Sequence, residues 1–360
     1  MTPTIWIFSL EPIETRYTAQ WHDYIPKFIK TNVGDKFNVI QINGVQKDSQ
    51  LTVGAFLNFS DTNYWKSSQL CSFLEHHNKG ETSTNDHIFF TDAWNPAVIQ
   101  LKYMKELLGF NWTLHGMFHA GSYDPHDFLG RLIGNAPWVR HAEQSFFHAF
   151  DHNYFATKFH IELFCNNLLG LEFKTALQTY IQHDKIVRTG WPMEYIADTL
   201  RPFRGKQKRD LILFPHRIAP EKQVEIFKDL EKQLPQYEFI VCQEKQLTKD
   251  EYHTLLSEAK MVFSANLQET LGISMYEGAM LEAIPLVPDR LSYSEMYDPV
   301  FTYPSEWTES FESYTIFKDD LCNLITQHIE YYITRLPWLD RQKKALTEDF
   351  FSADVLLNRF

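Results

Sequence analysis

The feature that most constrains the fold is an alternation of strand-like and helix-like segments that occurs twice along the chain. In the first half, apolar runs at residues 5–10 and 37–42 flank an amphipathic helical pattern at 21–29, and residues 97–108 again show the helical period. The alternation restarts at residue 211. Because such alternation is typical of parallel sheets covered by helices on both faces, we predict an α/β protein. Its two doubly wound domains are expected to face one another across a cleft.

A basic, glycine-containing segment at residues 201–210 separates the two alternations and shows no apolar periodicity. The chain of 360 residues is also longer than one hydrophobic core usually supports. We predict an N-terminal domain over residues 1–203 and a C-terminal domain over 204–335. A C-terminal helix over 336–360 is expected to cross back to the N-terminal domain.

Charge and composition exclude several classes of protein. A formal net charge of −12 argues against broad adhesion to an anionic polymer, which needs lysine and arginine. No apolar run approaches the roughly 18–20 residues that cross a bilayer, and the N-terminus lacks a basic leader. The four cysteines are far apart and match neither a metal-binding spacing nor a disulfide framework. We expect a cytoplasmic protein with reduced thiols and no required metal.

The most informative motif lies at residues 264–280, where a predicted strand leads through Gly272 into a predicted helix. The first amides of a helix have no carbonyl partner and carry a positive dipole end, so this turn can bind a diphosphate. Gly272 lets the backbone approach phosphate oxygens closely. Glu269 precedes the helix and can face a sugar. Glu277 lies about one and a half turns into the helix and can reach a ribose diol.

A second motif precedes the first by about fifty residues. Arg217 and Lys222 follow the predicted strand at 211–214 and stand five residues apart. Two cations at a strand end can stabilise the negative charge that develops on a leaving diphosphate. They would supply the charge that a divalent metal supplies elsewhere.

These residues resemble a motif of the retaining GT-B glycosyltransferases of family 4, which combines an arginine and a lysine after a strand with two glutamates separated by seven residues. The resemblance covers about residues 211–297, a quarter of the chain. It departs from the family at Glu282, where glycine is usual. The glycine-rich loop after the first strand is also absent, because residues 9–18 contain no glycine. The matching positions are Arg217, Lys222, Glu269 and Glu277.

The resemblance implies a nucleotide sugar, expected to be a UDP-sugar, as the donor. Arg217 and Lys222 would hold its diphosphate, Glu277 its ribose and Glu269 the transferred sugar. The implied donor-binding turn comprises Thr270, Leu271, Gly272 and Ile273, of which the last two contribute backbone N–H groups. The resemblance further implies same-face attack by an acceptor hydroxyl, with a donor phosphate accepting the proton. The protein then contributes positioning and charge stabilisation.

The loop at residues 114–127 follows a predicted strand at 111–114 and is rich in histidine and aspartate. In the family, a histidine after this strand contacts the donor sugar. His115 is the best match and a candidate catalytic residue, with His119 as the alternative. Two other hypotheses remain open for this loop, namely metal binding, to which Asp124 could contribute, and histidines that bond buried backbone groups.

The acceptor is expected at the end of the first strand, because open α/β sheets bind ligands at the carboxyl ends of their strands. Glu14 and Arg16 are the candidates for orienting it, with His119 and Asp124 from the neighbouring loop.

The chain also resembles glycosyltransferases of tailed phages in the general character of its sequence, without a shared motif. Some of those enzymes act on hydroxymethylcytosine in DNA. That similarity implies transfer of glucose or arabinose in the host-cell cytoplasm. A local basic patch could bind DNA phosphates, although it could equally be a solvated linker. The patch comprises Arg201, Arg204, Lys206, Lys208 and Arg209.

Two alternatives remain open at this point. One is a cytoplasmic transferase that builds surface polysaccharide or a glycolipid. The other is a protein that binds a nucleotide sugar without transferring it, or an epimerase. The presence of all four charged motif positions favours a transferase over a binding protein.

Overall fold

The computed structural model describes residues 2–13, 16–47 and 58–360. They form two compact units. Unit 1 comprises the described residues of Met1–Pro192 together with Ala353–Phe360, and unit 2 comprises Met193–Ser352. The division falls before the basic segment at 201–210, and the predicted domain limits stay predictions.

Unit 1 is organised around a parallel sheet. The strands that its described residues form are β1 (Thr4–Phe8), β2 (Asn38–Ile42), β3 (His87–Phe90), β4 (Thr113–Met117), β5 (His152–Phe155) and β6 (Ile186–Arg188). Their order is β2-β1-β3-β4-β5-β6, and each neighbouring pair is parallel. The order reverses at β1, so the loops after β1 and β3 diverge from a common point at the carboxyl edge.

Helices pack on this sheet because their apolar side chains become buried against its apolar surface. In α1, Trp21, Ile25 and Ile29 recur at the helical period and are all buried. The α-helices of the main segment of unit 1 are α1 (Tyr17–Val33), α2 (Phe59–Asn78), α3 (Ala97–Leu108), α4 (Phe128–Ile133), α5 (Pro137–Ala149), α6 (Lys158–Phe164) and α7 (Phe173–Ala176). The helix predicted at 97–108 is thus confirmed as α3.

Two features of unit 1 differ from the expectations. Helix α2 was not predicted, because its polar composition gives it little apolar periodicity; Asn58 caps it by accepting the amides of Ser60 and Asp61. The prediction that a strand ends at residue 114 was wrong, since β4 continues to Met117. His115 therefore lies inside a strand and not in a loop.

Unit 2 contains a second parallel sheet. The strands in its described residues are β7 (Arg209–Phe214), β8 (Glu238–Val241), β9 (Ala259–Phe263), β10 (Ile284–Pro288) and β11 (Thr302–Tyr303). Their order is β11-β10-β9-β7-β8, again with parallel neighbours. The order reverses at β7, which places the loops after β7 and β9 at one topological switch point.

The helices of unit 2 alternate with its strands along the chain, and the last two of them follow the final strand. They are α8 (Tyr195–Leu200), α9 (Val224–Gln233), α10 (Lys249–Glu258), α11 (Ile273–Met280), α12 (Tyr293–Met296), α13 (Phe311–Glu330) and α14 (Tyr332–Asp349). A last helix, α15 (Asp354–Leu357), belongs to unit 1. The predicted α/β class, with two parallel sheets flanked by helices, is confirmed. None of the helices in the described ranges has the length and apolarity needed to cross a membrane.

Candidate functional site

The switch point between β7 and β9 brings the two charged motifs of unit 2 together. Lys222, in the turn after β7, donates from Nζ to the carbonyl of Gln268 at 2.5 Å and lies 3.4 Å from Oε2 of Glu269. Only 7% of the Lys222 side chain is exposed. A buried ammonium needs such oxygen partners, because burial without them would cost several kcal/mol. The structure thus places residues 47 positions apart in direct contact.

Glu269 is held in place by groups that favour its charged form. Asn266 donates Nδ2 to its Oε2 at 3.1 Å, and the Thr270 amide donates to its Oε1 at 3.2 Å. Burial acts to raise the pKa of Glu269. The charge of Lys222 and the hydrogen bonds from the backbone of residue 272 and from Lys222 outweigh burial and lower that pKa below its usual value. Glu269 is therefore a fixed carboxylate at the switch point.

Gly272 satisfies two requirements of the turn that no other residue meets without strain. Its φ of 73° lies in the left-handed region, and a Cβ at this position would come 2.8 Å from Cε1 of Tyr293. Helix α11 begins at the next residue, Ile273. The first amides of α11 consequently point out of the helix next to Glu269, where an anion can accept them. Thr270, Leu271, Gly272 and Ile273 form this turn.

Arg217 and Glu277 lie on either side of this centre. Arg217 donates Nη2 to Oε1 of the buried Glu221 at 2.6 Å, and 40% of its side chain stays exposed. Glu277, in α11, accepts the hydroxyl of Tyr252 at 3.2 Å, and its Oε1 lies 3.9 Å from Nε2 of the buried His253. Both carboxylate oxygens thus lie near residues of α10, Oε2 bonded to Tyr252 and Oε1 near His253, while 18% of the Glu277 side chain remains exposed.

Arg290, which the sequence did not single out, fixes the loop that carries this network. Its guanidinium donates to the carbonyls of Asn266 at 2.7 Å, Ala265 at 2.8 Å and Ser305 at 2.8 Å. Gln223 adds a bond to the Ala265 carbonyl at 2.6 Å. The only sequence signal was the position of Arg290 directly after a strand, at the edge where the other loops also meet.

In unit 1, His115 is fully buried and both of its ring nitrogens are bonded. Nδ1 lies 2.6 Å from the Tyr154 hydroxyl, and Nε2 lies 2.9 Å from Nδ1 of His87. Burial lowers the pKa of His115 well below its usual value, so the ring is neutral. As the ring stands, no nitrogen is open to a ligand, and its predicted contact with the donor sugar would need these bonds to break.

His119 follows β4 and lies at the carboxyl edge of the sheet. Its Nδ1 is 2.7 Å from the Tyr17 hydroxyl, and its Nε2 is 2.6 Å from the Thr91 carbonyl. The rings of Trp21 and Trp191 pack around it, with centroids at 5.2 and 4.7 Å. His119 thus organises an aromatic cluster at the edge where the acceptor was predicted.

The remaining acceptor-side candidates occupy different settings. Asp124 is buried and accepts the amide of His126 at 2.9 Å, which shapes the loop after β4. Arg16 directly precedes α1 without capping it through its side chain and stands over the ring of Tyr17, with 5.7 Å between guanidinium carbon and ring centre. Glu14 lies outside the described residues. Nowhere in the described residues do three or more His, Cys, Asp or Glu side chains form a group suited to a metal ion.

A small polar cavity of about 30 Å³ lies at the switch point of unit 1, between the ends of β1 and β3. Lys66 forms an ion pair with Asp92 there, with 3.0 Å between Nζ and Oδ2, and also bonds the Trp94 carbonyl. Arg16 and Glu11 contribute to the lining. The cavity thus brings the acceptor-side candidate Arg16 to the same strand ends as the Lys66–Asp92 pair.

The basic patch does not form one continuous surface. Lys208 donates Nζ to the carbonyls of Ala259 at 2.8 Å and Leu281 at 2.5 Å, and burial lowers its pKa to about 7. Arg209 belongs to β7 and pairs with Glu238 and Glu258.

The rest of the patch is exposed. Arg201 pairs with Asp198. Arg204 and Lys206 are exposed and form no ion pair with any residue in the described ranges. Two of the five predicted cations therefore remain unpaired at the surface of unit 2.

No protein-family model matches the chain, and no curated protein matches its sequence. Solved structures do match its fold. The chain is similar over its whole length to 97% of sucrose-phosphate synthase from Thermosynechococcus elongatus, with a TM-score of 0.61 and 10% identity. It matches the catalytic domain of starch synthase IV from Arabidopsis thaliana, bound to ADP and acarbose, with a TM-score of 0.59 and 11% identity over 99% of this chain and 97% of that one.

A third match is WaaG, a glycosyltransferase involved in lipopolysaccharide biosynthesis, with a TM-score of 0.53 and 12% identity over 99% of both chains. These neighbours are GT-B glycosyltransferases, and the predicted fold class is confirmed.

Proposed function

We propose that this chain is a cytoplasmic glycosyltransferase that moves a sugar from a nucleotide-sugar donor, expected to be a UDP-sugar, to an acceptor hydroxyl. The observation that carries the proposal is the contact of Lys222 with Glu269 beside Gly272 and the first turn of α11. It combines a buried cation, a fixed carboxylate and the N-terminus of a helix at a switch point, where α/β sheets bind nucleotides. The shared fold of three solved transferases supports it.

Each predicted donor residue has a role that its position suits. The diphosphate oxygens would accept hydrogen bonds from the first amides of α11 and would pair with the charged side chains of Lys222 and Arg217. Glu277, whose second oxygen is free of the Tyr252 bond, would bind the ribose. Glu269 would bind the transferred sugar through a hydroxyl. One face of the site then binds anions and the other binds hydroxyl groups.

The proposed reaction retains the configuration of the sugar. The bond between the anomeric carbon and the diphosphate oxygen breaks while the acceptor oxygen bonds to the same face of that carbon. The acceptor proton passes to a phosphate oxygen of the leaving diphosphate. Lys222 and Arg217 lower the barrier by stabilising the charge that develops on that diphosphate, a type of effect typically worth about 3–4 kcal/mol for one such group.

For the acceptor, we propose hydroxymethylcytosine in DNA, receiving glucose or arabinose. The exposed Arg204 and Lys206 support this proposal, since unpaired surface cations can bind phosphates. The pairing of Lys208 and Arg209 within unit 2 weakens it. A glycan or glycolipid acceptor is the alternative, supported by the fold shared with a lipopolysaccharide glycosyltransferase.

The test is transfer from a panel of radiolabelled UDP-sugars to duplex DNA that contains hydroxymethylcytosine. Unmodified DNA and a polyprenyl-lipid acceptor serve as parallel arms. Label only on the modified DNA would establish the acceptor and name the sugar. Label on the lipid alone would replace the DNA acceptor with a glycolipid. Absence of both transfer and donor binding would contradict the transferase proposal itself.

A further inference from the structure

His216 lies directly after β7, beside Arg217, and is unusual in leaving part of its hydrogen-bonding capacity unused. Only 6% of the residue is exposed, and its buried Nε2 has no partner among the described residues. Its ring contacts Phe214, with centroids 5.2 Å apart. A buried polar atom without a partner costs on the order of 1–3 kcal/mol, so its presence at a switch point calls for an explanation.

Asn266, which bonds Glu269, shows the same pattern. It is fully buried, and its Oδ1 has no partner in the described structure. The orientation of its amide follows from chemistry. Nδ2 faces the carboxylate of Glu269 at 3.1 Å, and a carboxylate only accepts, so the amino group must point there and Oδ1 must point away.

The unpartnered atom of Asn266 identifies the chemistry of the missing group. An amide oxygen only accepts hydrogen bonds, and so does an ionised phosphate. A diphosphate therefore cannot satisfy Asn266, whereas a hydroxyl can. The ring of His216 is neutral, because burial and the charge of Lys222 lower its pKa to about 3, so its unpartnered Nε2 can either donate to or accept from a hydroxyl.

We propose that His216 and Asn266, at the switch point that holds Glu269, bind hydroxyls of the transferred sugar and thereby select the sugar of the donor. The inference rests on the proposed function, since it assigns the sugar-binding part of the same site. Asn266 bonds Glu269 through Nδ2, and His216 follows β7 at the switch point where Lys222 contacts Glu269. Sugar binding would let both buried atoms form the bonds that they lack.

The experiment compares a nucleotide diphosphate with the same nucleotide carrying glucose. Calorimetry gives Kd values for UDP and UDP-glucose, and for ADP and ADP-glucose, with the wild type and with His216→Phe, which keeps a ring but removes both nitrogens. We expect His216→Phe to weaken binding of the sugar nucleotide about fivefold while Kd for the diphosphate changes less than about twofold. His216→Gln, whose amide can replace a ring nitrogen, should recover most of the loss.

A matched control is His328→Phe. His328 is also fully buried, and neither of its ring nitrogens has a partner among the described residues, but it lies in α13 rather than in a loop at the switch point. The His328→Phe variant should leave the Kd values for the diphosphate and for the sugar nucleotide unchanged. If the Phe variant at position 216 does not fold, His216→Leu takes its place. Equal weakening of diphosphate and sugar nucleotide, or no weakening, would overturn the assignment of His216.

Asn266 is tested with UDP-glucose analogues that lack one hydroxyl. Asn266→Ala should weaken UDP-glucose about tenfold but weaken one deoxy analogue less than about twofold, because the bond is already absent there. A constant loss across every analogue would mean that Asn266 acts only by holding Glu269, and would overturn its assignment. A wild type that binds none of the nucleotides would contradict the proposed function instead, before any variant is compared.

Discussion

The two switch points of this protein contain similar residues but differ in how fully their histidines are hydrogen-bonded. Each contains a lysine paired with a carboxylate, Lys66 with Asp92 in unit 1 and Lys222 with Glu269 in unit 2. In unit 1 the nearby histidine, His119, bonds a tyrosine hydroxyl and a backbone carbonyl. In unit 2 the corresponding edge holds His216, whose buried nitrogen has no described partner.

The difference concerns these two histidines, because the indole Nε1 atoms of Trp21 and Trp191, which pack around His119, also have no partner among the described residues. A hydrogen bond within the chain lowers the free energy of the folded protein, whereas an unsatisfied buried group raises it. Each such group therefore calls for an explanation, and a role at a binding site is one of them. Under the proposed function, the difference between the two histidines favours unit 2 as the donor site, and four predictions test it.

The largest effect is expected from Lys222→Ala. Removing the buried ammonium takes away charge that would stabilise the leaving diphosphate, so turnover should fall about 10²–10³-fold, with a smaller change in donor affinity. Steady-state kinetics of donor hydrolysis or transfer measures both. Lys66→Ala is the matched variant in unit 1 and should leave donor Kd within about twofold. Similar losses of donor affinity in both variants would break the comparison.

The turn at Gly272 should show the next largest effect. Gly272→Ala places a Cβ 2.8 Å from Tyr293 and imposes a positive φ on alanine, so the free energy of unfolding should drop by about 3 kcal/mol. Gly109→Ala in unit 1 has a similar φ of 70° but meets no atom within 4 Å, and should cost only about 1 kcal/mol. Urea denaturation measures both. Equal costs would show that the contact with Tyr293 is not restrictive.

Acid should destabilise the protein through its buried neutral histidines. Burial lowers the pKa of His160 to about 3, below the usual 6.5, so the unfolded state binds the proton first and stability falls as the pH drops below 6.5. Between pH 6.5 and 5, protonation of this histidine in the unfolded state lowers the free energy of unfolding by about 2 kcal/mol.

His160→Gln should remove that share of the pH dependence, as measured by denaturation at both pH values. The exposed His183→Gln is the control and should leave the pH dependence as in the wild type. An unchanged pH dependence in His160→Gln would mean that His160 is not held neutral.

The smallest effect is expected from Glu277→Ala, which removes a partly exposed carboxylate from α11. Loss of its proposed hydrogen bonds to the ribose should weaken donor binding about tenfold with little change in turnover. Calorimetry with UDP provides the measurement. Tyr252→Phe, which removes only the bond that orients Glu277, should weaken binding less. Unchanged affinity in Glu277→Ala would move the ribose site elsewhere.

The sequence by itself determined the local features, because they depend on neighbouring residues. Periodicity along the chain predicted α3 and the alternation behind both sheets. The residue order around Gly272 predicted a turn before a helix, and α11 indeed begins at Ile273. The polar helix α2 escaped prediction since its pattern carries no clear apolar face.

Only the tertiary structure decided which groups meet. Strand order, set by how the sheet faces bury apolar surface, brought Lys222 to Glu269 and Arg290 to the loop after β9. It also moved His115 into the interior of a strand, where His87 and Tyr154 bond it. Such contacts join residues tens of positions apart. They result from packing in three dimensions, so the pattern of residues along the sequence does not predict them.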